Sequence, residues 1–431
     1  MLLPISGNNN SEKPQGGKSM NPFQLKPEKT ADQFMDWQRL YPAPYDKMET
    51  DPYTRVRVIL MNGTEFESAG YSHQFHRHES NNDLRRELAM MRRQEQQQQK
   101  KIACLKPMDE TVLEHTIGYE QLAVDLTAGL AKRVTCANVK SALDFALLED
   151  FDHLYRYADL MEMEHGQYAE KFVGEYTEIM PGRPTISEHR CPMDALCMPG
   201  KPDAALFDKM AVQIITAAEQ QTMNYYMNVC GFYTSDLGRK LYQEIGMIEE
   251  QHVTQYGSLM DPNCSWLEGL LMHQYVEAYL YYSCMEDETD QNVKKVWEDF
   301  FQMEVSHLHK AADLLRQYEK KDWQQVIPGG EFPEPFHFES NIDYIRAALN
   351  MVDFTAEKEI FKPVNMLPKD YDFFVYQKAV NANVDAVPSH QVIDRAIRRR
   401  GKDYRAEVAP SPVPGLQNRT LDNTTLGRIY Q

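Results

Sequence analysis

From residue 109 to residue 320, apolar side chains recur every three or four positions, the period of helices that bury one face. Leu113, Ile117 and Val124 begin the series, and Leu143, Leu147, Leu154, Tyr157 and Met161 carry it on. Val212, Ile215, Met223 and Tyr226 follow, then Leu241, Ile245, Ile248, Val253 and Leu259. Leu270, Leu280 and Tyr281 precede a last set of Trp297, Phe300, Leu308 and Ala311. The pattern predicts six helices, over about 109–133, 139–166, 203–231, 236–260, 263–287 and 290–320. Gly166 is the expected stop of the second, and Asp261-Pro262-Asn263 a short polar turn between the fourth and fifth.

Outside this block the period changes. Val56, Val58 and Leu60 alternate with Arg55, Arg57 and Ile59 ahead of Asn62-Gly63, so Thr54 to Phe66 predicts a β-hairpin. Asp83 to Lys101 is rich in Arg, Glu and Gln around the anchors Leu84, Leu88, Met90 and Met91. It predicts an exposed surface helix, with a coiled arm for dimer contacts as the alternative. The stretch 167–202, punctuated by Pro181, Pro184, Pro192, Pro199 and Pro202, is too long for a turn between helices and reads as a crossover. Past Trp323, Pro328-Gly329-Gly330 and Pro333-Glu334-Pro335 mark a boundary, beyond which one short helix is expected over Asn341 to Met351. The expected fold is therefore all-α, with six core helices in three hairpins, a small N-terminal β-hairpin and an irregular C-terminal extension. Residues 1–30 form a disordered lead-in, 31–108 an N-terminal extension, 109–323 the bundle and 324–431 a C-terminal extension that wraps it.

Polar residues interrupt the apolar faces at matching places. Glu120, Glu219 and Glu277 each lie on the inner face of the first helix of a hairpin. Asp150-x-x-His153, Glu249-x-x-His252 and Glu304-x-x-His307 lie on the inner face of the second, one turn apart. Glu120 precedes Asp150 by 30 residues, Glu219 precedes Glu249 by 30, and Glu277 precedes Glu304 by 27. The phrases Tyr119-Glu120-Gln121 and Ala218-Glu219-Gln220 strengthen the impression of an internal repeat. A single buried carboxylate is commonly structural, paired with Arg or a Tyr hydroxyl. Here basic residues are nearly absent from the faces concerned, and a buried carboxylate without a partner is expensive. Two divalent cations would neutralise four carboxylates and take two His nitrogens, which matches the inventory.

These Glu and Glu-x-x-His positions, with the phrase His153-Leu154-Tyr155-Arg156-Tyr157, resemble the ferritin-like superfamily of di-metal carboxylate proteins over roughly residues 109–320. That superfamily includes bacterioferritins, rubrerythrins, manganese catalases and bacterial di-iron oxygenases, and its fold relates two hairpins across a long crossover. The resemblance implies that 167–202 is that crossover. The implied metal ligands are then Glu120, Asp150, His153, Glu219, Glu249 and His252, with two iron ions, or manganese, as the cofactor. A rival set replaces the first hairpin with the third and uses Glu277, Glu304 and His307. Asp150 departs from the usual Glu, whereas the rival set has full Glu identity but only the short 261–263 turn between its hairpins. The implied function is that of a di-metal oxidoreductase acting with oxygen or peroxide. An iron-storage protein of the same fold and a metal-free helical scaffold are the alternatives.

Charge narrows the partners. The 431-residue chain carries a formal net charge of −18, which argues against general binding to nucleic acid or an anionic membrane. No stretch approaches the roughly 18 consecutive apolar residues of a membrane span. Seven cysteines do not suggest a disulfide framework, and no secretory signal opens the chain, so a cytoplasmic protein is expected. A homo-oligomer is the expected assembly, and an electron-donor protein is a candidate partner. Three further features read as structural: His73, His76 and His78 as a solvated cluster, Arg395 to Arg405 as a basic helix end, and most of the dense tyrosines as filling between helices.

Overall fold

A computed structural model of the chain describes residues 20–179, 204–351 and 366–401. Among the described residues every regular element is helical. In chain order the α-helices are α1 (Trp37–Leu40), α2 (Pro52–His78), α3 (Asn82–Ala103), α4 (Val112–Arg133), α5 (Ala137–His165), α6 (Glu170–Val173) and α7 (Leu206–Phe232). Then come α8 (Asp236–Gly257), α9 (Trp266–Asp287), α10 (Gln291–Glu319), α11 (Ile342–Met351), α12 (Asp372–Val380) and α13 (Pro388–Arg400). None is long and apolar enough to cross a membrane.

Local chemistry sets the ends of the long helices. Asp51 caps α2 by accepting from the Tyr53 amide, with Pro52 in the first turn, where its missing N–H costs nothing. Asn81 and Asp290 cap α3 and α10, and Ser235 caps α8. Thr111 with Glu114 and Ser265 with Glu268 form reciprocal capping boxes on α4 and α9. Gly166 ends α5 in the left-handed region at φ 66°, as its position in the sequence suggests.

The eight long helices pair as four hairpins, α2–α3, α4–α5, α7–α8 and α9–α10. The second and third hairpins pack together as one four-helix bundle, and the first and fourth as another. The outer hairpins of the sequence thus enclose the inner ones. α2 lies against α4 and α7, and α7 against α9, so the two bundles share a seam.

Three sequence expectations change here. The predicted β-hairpin over Thr54–Phe66 is instead the first half of α2. Asn62-Gly63 makes no turn: Asn62 donates to the Gln99 carbonyl at 3.2 Å, and Gly63 allows α7 to approach. A Cβ on Gly63 would stand 2.7 Å from the Gln221 amide nitrogen, which itself donates to the Ile59 carbonyl. The helix wins because Tyr53, Val56, Leu60 and Gly63 share a buried face at helical spacing. Secondly, α3 is no surface arm. Leu84, Leu88, Met91 and Ile102 are buried along a continuous seam, and the polar residues between them, Glu95 and Gln98, are buried too. Thirdly, the core holds eight long helices rather than six, because α2 and α3, placed by the sequence reading in an N-terminal extension, belong to it.

The remaining segments lie over the bundles. Residues 167–179 of the crossover include α6 and are tied to α4, where Gln121 donates to the Val173 carbonyl and the Thr177 hydroxyl. The lead-in to residue 19, crossover residues 180–203 and the C-terminal residues from 402 lie outside the described residues. α13 packs on α5 and α8. Its first turn holds Glu244 of α8 through the Ser389 amide and hydroxyl, at 2.6 and 2.9 Å. Its last turn places Arg400 3.1 Å from Asp159 and 2.8 Å from Glu162 of α5. The basic helix end therefore docks on acidic residues of its own chain.

Candidate metal centre

The inner seam of each long helix has polar residues halfway along it. In the bundle of α4, α5, α7 and α8 these are Glu120, Glu149, Asp150, His153, Glu219, Glu249 and His252, none more than 1% exposed. Asp150, Glu219, Glu249 and His252 offer ligand atoms that all lie within 4.8 Å of one another. Glu120, His153 and Glu249 form a second such group. Glu249 belongs to both, so the two groups are adjacent and joined through one carboxylate.

Contacts inside the cluster orient the imidazoles. His252 Nδ1 is 3.3 Å from Asp150, 3.2 Å from Glu249 and 3.9 Å from Glu219. Its Nε2 is 2.7 Å from Glu149, which holds the ring so that Nδ1 faces the other carboxylates. His153 Nδ1 is 3.2 Å from Glu249, and the two rings are roughly parallel at 6.1 Å. Tyr226 donates to Glu120 at 2.5 Å. Arg156, the nearby buried cation, pairs with Asp152.

The cluster is short of positive charge and of hydrogen bonds. One oxygen of Glu120, one of Glu249 and both of Asp150 and Glu219 are buried without a hydrogen bond, as are His153 Nε2 and His252 Nδ1. Burial, with Glu249 and Glu219 nearby, holds the Glu120 carboxyl well above its usual range. Burial and the Glu219 charge do the same to Asp150. Burial pushes Glu219 to about 7 in spite of its contact with His252. Burial lowers His153 to about 3, helped by His252 and Arg156, whereas the surrounding carboxylates overcome burial at His252 and raise it. These groups could hold a metal ion, and they include the buried atoms that lack a hydrogen bond.

All six residues of the preferred sequence set, Glu120, Asp150, His153, Glu219, Glu249 and His252, come together here. The Asp at position 150 does not exclude that helix from the cluster. The rival set does not assemble: Glu277, Glu304 and His307 lie in the other bundle, with Glu65 of α2 and Glu95 and Gln98 of α3. There Gln98 donates to Glu304 at 2.7 Å, and Gln274 donates to both Glu95 at 3.0 Å and Glu277 at 2.6 Å. Tyr281 donates to Glu65, and His307 Nδ1 is 3.0 Å from Glu304. Burial, then Glu304 and Glu95, keeps Glu65 well above the ordinary carboxylate range, and burial brings Glu95 to about 7.

Sequence reasoning missed Glu149 because the neighbouring Asp150 already filled the position. It missed Glu65 because the hairpin reading put residue 65 on a strand. His73, His76 and His78 occupy the last turns of α2, and no metal-ligating group among the described residues includes them. The chain matches no protein-family model, no curated protein and no solved structure.

Proposed function

We propose that this chain is a di-metal carboxylate oxidoreductase of the ferritin-like kind, acting with oxygen or peroxide. The observation that carries the reading is the sharing of Glu249 between two three- and four-residue ligand groups drawn from four helices. Asp150, Glu219, Glu249 and His252 would hold one cation, and Glu120, His153 and Glu249 a second. Iron or manganese bound there would supply one-electron redox chemistry at a pair of centres.

The chain's own residues do the rest. Glu149 fixes the His252 ring, and Tyr226 orients Glu120. The packed tyrosines Tyr157, Tyr226 and Tyr242 wall one side of the cluster and exclude water. Their hydroxyls are held protonated by burial and the carboxylates near them, so Tyr226 can donate a hydrogen bond to a ligand carboxylate or a reactant. The near-complete burial of the cluster favours a reactant the size of dioxygen or peroxide.

The test is metal analysis after anaerobic loading with Fe(II) or Mn(II), in wild type and in Glu249→Ala/His252→Ala. The reading expects the variant to lose two ions per chain and, with them, oxygen or peroxide consumption. Many ions per chain would instead make it a storage protein. No difference between the two proteins would overturn the metal centre altogether.

A further inference from the structure

The second helices of the two inner hairpins repeat each other one step past the candidate ligands. Asp150-x-x-His153-x-x-x-Tyr157 on α5 matches Glu249-x-x-His252-x-x-x-Tyr256 on α8. Each cluster histidine therefore has a tyrosine one turn further along its own seam. Both tyrosines are fully buried, and both hydroxyls lack a hydrogen-bond partner. A buried tyrosine hydroxyl ordinarily finds a partner, so two orphans at matched positions call for an explanation.

The two stand on opposite sides of the cluster. Tyr157 lies towards the C-terminal end of α7 and the N-terminal end of α8. Its ring packs on Tyr226 at 5.3 Å and on Tyr242 at 4.9 Å, with Tyr233 against Tyr242 behind them. Tyr256 lies the other way, past His252 towards the C-terminal end of α8, with its ring 6.5 Å from that imidazole. Burial, then the Glu219 and Asp150 carboxylates, hold its hydroxyl well above the usual tyrosine range, so it is a donor with candidate ligands for neighbours.

Space adjoins the Tyr256 side. A cavity of about 430 Å³ begins one turn beyond Tyr256, where Leu259, Val139 of α5 and Val212 of α7 form part of its wall. All three are buried, so apolar core side chains line the cavity where it meets this bundle. Val212 precedes Glu219 by two helical turns, which puts that wall roughly 10 Å along α7 from the cluster.

We infer that Tyr256 is a catalytic residue, donating a hydrogen bond from its hydroxyl to a dioxygen or peroxide reactant that enters from the cavity side and lodges beside Asp150, Glu219 and His252. Tyr157, enclosed by other tyrosine rings, has the same register but no such approach. The inference rests on the di-metal reading above.

The test is azide binding to the iron-loaded full chain, followed by its charge-transfer absorption, with iron counted in the same samples. Azide stands in for peroxide as a small anion that accepts a hydrogen bond. Tyr256→Phe should keep the wild-type iron content and bind azide about tenfold more weakly or worse, the loss of one hydrogen bond to a charged group. Tyr157→Phe, the matched change on the other side, should leave azide affinity unchanged. Metal-free Tyr256→Phe should melt no lower than wild type, because its hydroxyl has no bond to lose in the folded protein. Equal azide affinity in Tyr256→Phe and wild type, equal weakening in both variants, or no azide band in iron-loaded wild type would overturn the inference and leave the metal centre standing. Failure of the wild type to take up iron would remove the centre itself, and the inference with it.

Discussion

Replacing Glu249 by Gln separates a metal centre from a structural ion-pair network by the sign of its effect. In the metal-free protein Glu249 faces Asp150 and Glu219 in one group and Glu120 in the other, with ligand atoms within 4.8 Å. Two ionised carboxylates at that distance repel by about 3.5 kcal/mol at an effective dielectric near 20. The cluster must either bear that repulsion or take up protons to avoid it. Gln removes one charge, keeps nearly the same volume, and retains an oxygen that His153 can reach. Metal-free Glu249→Gln should therefore unfold at a temperature no lower than wild type, with a gain of up to about 3 kcal/mol. With metal present the order should invert. A ligand at 100 times its Kd stabilises the folded state by about 2.7 kcal/mol, and the variant, lacking the shared carboxylate, should lose most of that. Differential scanning calorimetry at pH 8, with chelator and then with Mn(II), reads both arms. A metal-free variant destabilised by more than about 1 kcal/mol would refute the reasoning. It would mean that Glu249 stabilises the fold by pairing with His153 and His252.

Other parts of the chain can be tested in the same way. Arg57 is buried between Glu288, at 2.9 Å, and Asp287, at 2.8 Å, so Arg57→Met should cost about 3–5 kcal/mol in urea unfolding by stranding Glu288. Adding Glu288→Gln should return much of that loss. Burial lifts the Asp125 carboxyl to about 7 despite its bonds from Thr177, Asn341 and Tyr53. The folded pKa lies above the unfolded one, so this group's contribution to stability falls as pH rises from about 4 to 7. Asp125→Asn should show an advantage over wild type that grows across that window in thermal melts, and a constant difference would exclude the effect. Tyr226→Phe removes the hydrogen bond to Glu120, and metal affinity measured by competition with a chelator should fall about 10–100-fold with the ion count unchanged.

What could be read from the sequence follows from how the signals are written. Glu-x-x-His on an apolar helix face stands out because both residues are costly to bury and lie one turn apart, so residues 109–320 disclosed the first cluster. The second bundle was half concealed. Glu277, Glu304 and His307 were visible by the same rule, but their partner hairpin was not. Asn62-Gly63 carries the strongest short turn signal, yet here the glycine serves contact between α2 and α7, which no local pattern reveals. In α3, the apolar steps at Leu84, Leu88, Met91 and Ile102 already traced a seam. Gln98 in place of a histidine, amid a run of Arg and Gln, hid the polar pair inside it. Tertiary pairing of distant hairpins, rather than local propensity, decided both segments.

The enclosure of the inner hairpins by the outer ones also orders the assembly of the chain in time. The α4–α5/α7–α8 bundle has all its helices once Gly257 has been made. The α2–α3 hairpin, finished at Ala103, waits for α9 and α10, which begin roughly 160 residues later. At about 5–20 residues per second of synthesis that delay is on the order of 10–30 s. During it, the α3 seam, whose buried polar members are Gln94, Glu95, Gln98 and Gln99, has only α2 of the long helices as a partner, while α2 can already dock on α4 and then on α7. The polar residues on the α3 seam thus also keep an incompletely covered helix face wettable during that interval, when an all-leucine seam would be prone to aggregate.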